Sequence, residues 1–194
     1  MGRELRGEFH HKLQKLDSDL AKMGLLTREQ LEKALQSLVE GRPELATEVI
    51  GADATLDAME TDLEIRCVQL LATEGPVASD LRLISSIFKI TGDLERIGDH
   101  AVKIAHLSRD LKRLGHTGDL FGVPDLGTQV VGILRDTMQA FGARDVPLAR
   151  DVRSRDKAIN ELTRTIDEAI VARMEAAPQD IDYYSLLHFI PGRL

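Results

Sequence analysis

The sequence predicts an all-α protein made of two tandem three-helix bundles, the second of them truncated at its last helix. Three observations lead to this fold class. Apolar residues recur every three or four positions along most of the chain, which is the period of one helix face. A single segment rich in glycine and proline divides the chain, and the two halves repeat the same apolar spacing.

The first half predicts three long helices. The first covers about residues 4–41, with Gly24 as a candidate kink. Gly41 marks its end, and Pro43 suits the first turn of a second helix, where the amide hydrogen that proline lacks would be unbonded anyway. The second helix runs to the break at Gly75, and a third follows with a heptad-like stripe. That stripe consists of Ile87, Ile90, Leu94, Ile97, Ala101, Ile104 and Leu111.

The second half repeats the first at a constant offset of 103 residues, which aligns Leu31 with Leu134 and Val49 with Val152. We therefore predict a first bundle over residues 1–114. Residues 115–127, which contain four glycines and one proline, form the linker and the start of the next helix. Residues 128–194 form the second, incomplete bundle.

Composition excludes several classes of protein. The 194 residues are 43% hydrophobic, which is too apolar for a disordered chain, and no apolar run is long enough to span a membrane. The net charge of −7 disfavours binding to nucleic acid or to an anionic membrane surface. A single cysteine, Cys67, and a charged start without an apolar stretch predict a cytoplasmic protein without a secretory leader.

Two groups of carboxylates stand beside the core stripes. On the second helix, steps of four, three and four residues place an acidic row on one ridge: Asp53, Asp57, Glu60 and Glu64. On the third helix, Glu95 and Asp99 form a pair outside the stripe. Like charges at this spacing repel, and a bound cation would offset the repulsion. Such paired carboxylates are typical of metal sites on helical bundles, and hard oxygen ligands suit Mg, Mn, Ca or iron.

An ordinary solvated surface explains the same residues. Asp99 can pair with Lys103, and Asp62 with Arg66, through contacts one helical turn apart. Cys67 is interpreted as a small buried hydrophobe rather than a nucleophile. The sequence contains no phosphate-binding loop and no nucleophile elbow, so no catalytic residue is predicted. Phe88 on a polar face predicts loose packing or a contact surface.

Two strings, Thr73–Arg82 and Asp93–Ala101, closely resemble the PhoU family of bacterial phosphate-uptake proteins. The resemblance implies a non-enzymatic regulator that represses phosphate uptake and the phosphate-starvation response. It implies two partners, the ATPase subunit of the phosphate transporter and a membrane sensor histidine kinase. It also implies metal ions, of which Mg, Mn, Fe or Zn are the options, bound by one motif on each of two helices. Carried over, the ligands are Asp53, Asp57, Glu95 and Asp99.

The second repeat departs from the family pattern. Asn160 stands where an acid is expected, and the sequence stops at about the point where the second acidic string would begin, so we expect no second metal site. A full last helix would have covered Val152, Ile159 and Ile166. Because uncovered apolar surface favours association, a homodimer is expected.

Three functions therefore remain open from the sequence. The first is the metal-binding adaptor. The second is a carboxylate-bridged metalloenzyme of the phosphohydrolase type, since two-metal sites hydrolyse phosphate esters. The third is a metal-free helical scaffold whose acidic rows only face solvent.

Overall fold

Six α-helices make up the structure, a computed structural model that describes residues 2–115 and 118–194, with side chains from residue 7 onward. In chain order they are α1 (Gly2–Glu40), α2 (Pro43–Glu74), α3 (Ala78–Arg113), α4 (Val123–Ala143), α5 (Val146–Ala176) and α6 (Ile181–His188). Short 3₁₀ turns occupy Pro178–Asp180 and Pro191–Arg193. The two described ranges contain no strand, and the predicted all-α class is confirmed.

The helix ends follow from local sequence. Pro43 occupies the first turn of α2, and Gly75 ends that helix in the left-handed conformation, with φ of 54°. Asp145 caps α5, because its side chain accepts a hydrogen bond from the amide of Leu148 at 2.9 Å. The turn at Gly75 keeps α2 and α3 close, since only three residues separate the two helices.

The first bundle packs the predicted stripes of α1, α2 and α3 against one another. Its central side chains are less than 2% exposed, and they come from all three helices: Leu16, Leu20, Met23, Leu56, Leu63, Ile84 and Ile87. Cys67 is fully buried in the same cluster. The heptad-like pattern therefore marks a real core, as expected for long helices that pack side by side.

The two bundles pack directly against each other, because α1 and α4 approach closely. A Cβ added to Gly24 of α1 would stand 2.6 Å from Cε of Met138 on α4, and a Cβ added to Gly127 would stand 2.6 Å from Cδ2 of Leu35. Helix α1 passes through Gly24 without interruption, so this glycine admits a neighbouring helix rather than ending a segment. A second hydrophobic cluster contains residues of every helix from α1 to α6.

The expectation of an uncovered face on the second bundle is wrong for Ile166, which is 2% exposed. Helix α6 and the turn after it fold over the C-terminal part of α5, where Tyr184 and Leu187 pack in the same cluster as Ile166. The ring nitrogen Nδ1 of His100 on α3 lies 3.0 Å from the carbonyl oxygen of Arg193 and ties this segment to the first bundle. Val152 and Ile159, further toward the start of α5, are half-buried.

Candidate functional site

The carboxylates of α2 and α3 face each other across the helix hairpin that Gly75 turns. Oxygen Oε1 of Glu60 lies 3.7 Å from the position of a Cβ on Gly92, and Cδ1 of Leu56 lies 2.6 Å from that of a Cβ on Gly98. These two contacts fix the antiparallel register of the helices. Moving one helical turn toward the C-terminus of α2 therefore corresponds to moving one turn toward the N-terminus of α3. The acidic rows of the two helices lie side by side.

The electrostatics of the site show that the two rows share one field. Burial raises the pKa of Asp53, and the charges of Asp57 and Asp99 raise it further. Burial is also the main cause that raises the pKa of Glu95, followed by Asp99 and then by carboxylates of α2. A carboxyl of one helix thus feels those of the other, as the predicted grouping of Asp53, Asp57, Glu95 and Asp99 requires.

Glu60 belongs to this group, although the predicted ligand set leaves it out. Burial raises its pKa first, and the charges of Glu64, Asp57 and Asp99 add to the effect. The sequence signal that could have included it is Gly92, because a glycine opposite leaves room for the Glu60 side chain beside α3.

Most of these carboxylates have no cationic partner. Asp99 pairs with Lys103 at 3.0 Å, as the spacing predicts. Within the part of the chain whose side chains are described, no ion pair involves the other acids of the two rows, which are Asp53, Asp57, Glu60, Glu64 and Glu95. By contrast, Arg66 pairs at 2.8 Å with both Asp62 and Asp19 on the other side of α2. The site therefore retains uncompensated negative charge.

The donor set fits a hard cation in its chemistry, because every donor is a carboxylate oxygen and neighbouring donors repel one another. In the ranges described, however, no three or more His, Cys, Asp or Glu side chains stand close enough together to hold an ion. Side chains of α2 and α3 would have to turn toward a common centre, and Asp99 would have to leave Lys103. Asp53, Asp57, Glu95 and Asp99 remain a prediction as metal ligands.

Five surface cavities of the described residues lie away from these acids. Their volumes range from about 160 to about 560 Å³, and none is lined by a carboxylate of the two rows. Cys67 lies in the core, and burial raises the pKa of its thiol to about 11, so the thiolate is scarce near neutral pH. The interpretation of Cys67 as a packing residue agrees with this environment.

The second bundle treats the equivalent positions differently. The side-chain amide of Asn160 donates to Oδ2 of Asp156 at 3.2 Å. The two side chains therefore form a hydrogen bond within one helical turn, whereas the equivalent Asp53 and Asp57 repel each other. The sequence expectation that the second repeat lacks the acidic pair at this place agrees with the contact.

Comparison with known proteins identifies the family. The PhoU domain matches residues 20–108 and 123–190. A PhoU homolog of Pseudomonas putida, described as a phosphate-specific transport system accessory protein, is 37% identical over 175 residues, which are 90% of this chain and 68% of that protein. The chain belongs to the PhoU domain family. The family resemblance that the two sequence strings indicated is confirmed.

Other family members are similar over comparable lengths. The PhoU homolog of Aquifex aeolicus, with the same description, is 32% identical over 92% of this chain and 80% of that protein. The crystal structure of PhoU from Pseudomonas aeruginosa gives a TM-score of 0.93 at 32% identity, over 95% of this chain and 89% of that one. The crystal structure of the phosphate transport system regulatory protein PhoU from Streptococcus pneumoniae gives a TM-score of 0.87 at 27% identity. The match covers 95% of this chain and 87% of that one.

No helix in the described part of this family member is both long enough and apolar enough to cross a membrane.

Proposed function

We propose that this chain is a cytoplasmic accessory protein of phosphate uptake, which represses transport and the phosphate-starvation response. The observation that carries the proposal is the 37% identity, over 90% of the chain, to a relative described as a phosphate-specific transport system accessory protein. The protein acts as an adaptor without catalytic residues. Its partners are the ATPase subunit of a phosphate transporter and a sensor histidine kinase.

The carboxylates of α2 and α3 supply the contact chemistry of the adaptor. Asp53 and Asp57 on α2, with Glu95 and Asp99 on α3, would hold a divalent or iron-type cation, which would neutralise part of their mutual repulsion. Two observations support this part of the proposal. The pKa values of Asp53 and Glu95 are raised, and neither of these carboxylates forms an ion pair among the described side chains. The phosphohydrolase alternative gains no support, because none of the five cavities described above is lined by these acids.

A pull-down with the tagged chain from cells grown in high phosphate tests the adaptor role. We expect mass spectrometry to identify the transporter ATPase subunit or the sensor kinase, and we expect Glu95→Gln/Asp99→Asn to recover less of either. Asp93→Asn is the matched control, since Asp93 lies on the same helix, is exposed and pairs with Arg96. Folded wild-type protein that captures neither partner would contradict the proposal.

Calorimetric titration with Mn²⁺ tests the metal part separately. We expect saturable binding to the wild type, its loss in Glu95→Gln/Asp99→Asn and its retention in Asp93→Asn. The same heat in all three proteins would show that the four carboxylates are not the ligands. Sedimentation velocity of the wild type tests the expected homodimer.

A further inference from the structure

The outer surface of the α2–α3 hairpin changes from acidic to apolar along its length. We call it the α2–α3 outer face. Its acidic half contains the six carboxylates described above, and its apolar half contains Ile65, Val68, Leu81 and Phe88. The acidic half lies away from the hairpin turn, and the apolar half lies next to it.

The helix register joins the two halves into one surface. Glu60 lies beside Gly92, and Glu64 and Phe88 each stand four residues nearer the turn, so they face each other. Val68 follows Glu64 by one turn on α2. On α3, Leu81, Phe88 and Glu95 are spaced by seven residues and therefore share one line along the helix.

The four large side chains of the apolar half are all exposed. Phe88 is 39% exposed, Leu81 43%, Ile65 52% and Val68 54%. Single exposed apolar residues are common on protein surfaces, whereas a group of them beside unpaired acids marks an interaction site. The core stripes of α2 and α3 are complete without these four residues, so packing within the bundle does not account for them.

We infer that the α2–α3 outer face is a docking surface for a cationic amphipathic helix of a partner protein. Its basic side chains would meet the acidic half, and apolar side chains on the same face would cover Phe88 and Val68. At 1.5 Å per residue, the surface from Leu81 to Asp99 is about 27 Å long, which matches a helix of about 18 residues. The inference rests on the proposed function and names the chemistry of its partner.

Charge complementarity selects this occupant over others. A second copy docked through the same face would present the same six carboxylates, because a two-fold contact uses one surface on both copies, and it would not neutralise the acidic half. An anionic membrane would be repelled by the acidic half. A metal ion alone would neutralise carboxylates and would leave Phe88 and Val68 exposed.

A labelled peptide and the full chain test the inference by fluorescence anisotropy. The probe is an 18-residue helical peptide with one binding face. Along this face, lysines occupy one half of the peptide and leucines occupy the other half. Its control is an isomer of equal composition in which the leucines are spread around the helix. We expect saturable binding of the probe, at least about tenfold weaker binding of the isomer, and weakening between about 0.05 and 0.3 M salt.

Variants of the chain localise the binding. We expect Phe88→Ser and Glu64→Gln/Glu95→Gln each to lower the affinity for the probe about tenfold, because the loss of an anchor residue has an effect of this size at interfaces. The matched controls are Phe189→Ser, whose phenylalanine is 57% exposed elsewhere, and Glu161→Gln on α5, and both should bind like the wild type. Absence of probe binding up to about 1 mM, or equal binding by the isomer or by Phe88→Ser, would overturn the inference.

The same variants separate this inference from the proposed function. If Phe88→Ser captures the transporter ATPase or the kinase as well as the wild type does, the docking surface is wrong and the adaptor role stands. If the wild type captures neither protein while the probe binds with the expected losses, the adaptor role is wrong and the docking surface stands.

Discussion

The two bundles of this chain repeat one helical spacing but differ in the electrostatics of equivalent residues. In the first bundle, Asp53 and Asp57 repel each other, and neither forms an ion pair among the described side chains. In the second, Asn160 at the position of Asp57 donates a hydrogen bond to Asp156. A single amide in place of a carboxylate removes the repulsion. The first bundle thus keeps an electrostatic cost that an external cation or a basic partner can relieve.

The second bundle also contains an acid that joins its two long helices. Asp136 on α4 pairs with Arg135 at 2.8 Å and with Arg155 on α5 at 2.7 Å, and the guanidinium of Arg155 also contacts Asp151. The hydrogen bond from Arg155 is the main cause that lowers the pKa of Asp136. The Asp136–Arg155 pair joins α4 to α5, so Asp136 contributes to packing within the second bundle.

The largest expected contrast concerns the cores. Leu63 of α2 is 1% exposed and lies in the centre of the first bundle, whereas Leu162 of α5 is half-buried. We expect Leu63→Ala to reduce the free energy of unfolding by about 3 kcal/mol and Leu162→Ala by about 1 kcal/mol. Urea unfolding followed by circular dichroism measures both. Equal losses would mean that the second bundle is packed as tightly as the first.

A smaller effect is expected where the bundles meet. A Cβ on Gly127 would come within 2.7 Å of both terminal methyls of Leu35, so Gly127→Ala forces that side chain to move. We expect a loss of about 1 kcal/mol in the free energy of unfolding. Gly132→Ala on the same helix is the control, since its Cβ meets open space and alanine favours the helix by up to about 1 kcal/mol. If Gly127→Ala raises the thermal midpoint as Gly132→Ala does, the two bundles are not closely packed at α4.

Exchanging the two residue types tests the electrostatic comparison directly. Without metal, we expect Asp57→Asn to raise the free energy of unfolding by about 0.3 kcal/mol, because it removes a repulsion, and Asn160→Asp to lower it by a similar amount. Chemical denaturation at low salt measures both changes, and high salt should diminish them. Changes of the same sign in the two variants would refute the contrast.

The smallest effect is a dependence on pH. Burial and neighbouring charges raise the pKa of Glu60 and Glu95 in the folded chain. Such carboxyls hold protons more tightly when folded, so their contribution to stability falls as pH rises through the window between the unfolded and folded pKa values. We expect Glu60→Gln/Glu95→Gln to exceed the wild type in thermal midpoint at neutral pH and to lose this advantage near about pH 4.

Asp19 provides a control of opposite sign for this titration. The hydrogen bond from Lys22 is the main cause that lowers its pKa. Asp19→Asn should therefore be less stable than the wild type at neutral pH, and the difference should vanish as pH falls through the lowered pKa. A constant difference from pH 7 to about pH 4 for Glu60→Gln/Glu95→Gln, or a difference that Asp19→Asn retains well below pH 3.8, would show that these groups do not titrate as described.

The sequence was sufficient for the helices because each depends on local periodicity and on breakers such as Pro43 and Gly75. The pairs Asp99–Lys103 and Asp62–Arg66 were equally accessible, since both follow the one-turn rule. Ile166 could not be assigned correctly, because its cover depends on the path that the chain takes after α5.

The candidate site was predictable only as two separate rows of acids. That Glu60 joins them depends on the register between α2 and α3, which the contact at Gly92 sets and no local pattern reveals. The pair of Arg66 with Asp19 on α1 is a tertiary contact of the same kind.

The burial of Cys67 gives this protein a built-in probe of motion in one helix. A thiol reagent can react with the single sulfhydryl only when α2 moves away from its neighbours, because the side chain is inaccessible and its proton is tightly held. The labelling rate in native buffer therefore measures how often the helix that carries Asp53 to Glu64 opens. Any partner that clamps α2 against α3 should slow that rate, without a tag or an added fluorophore.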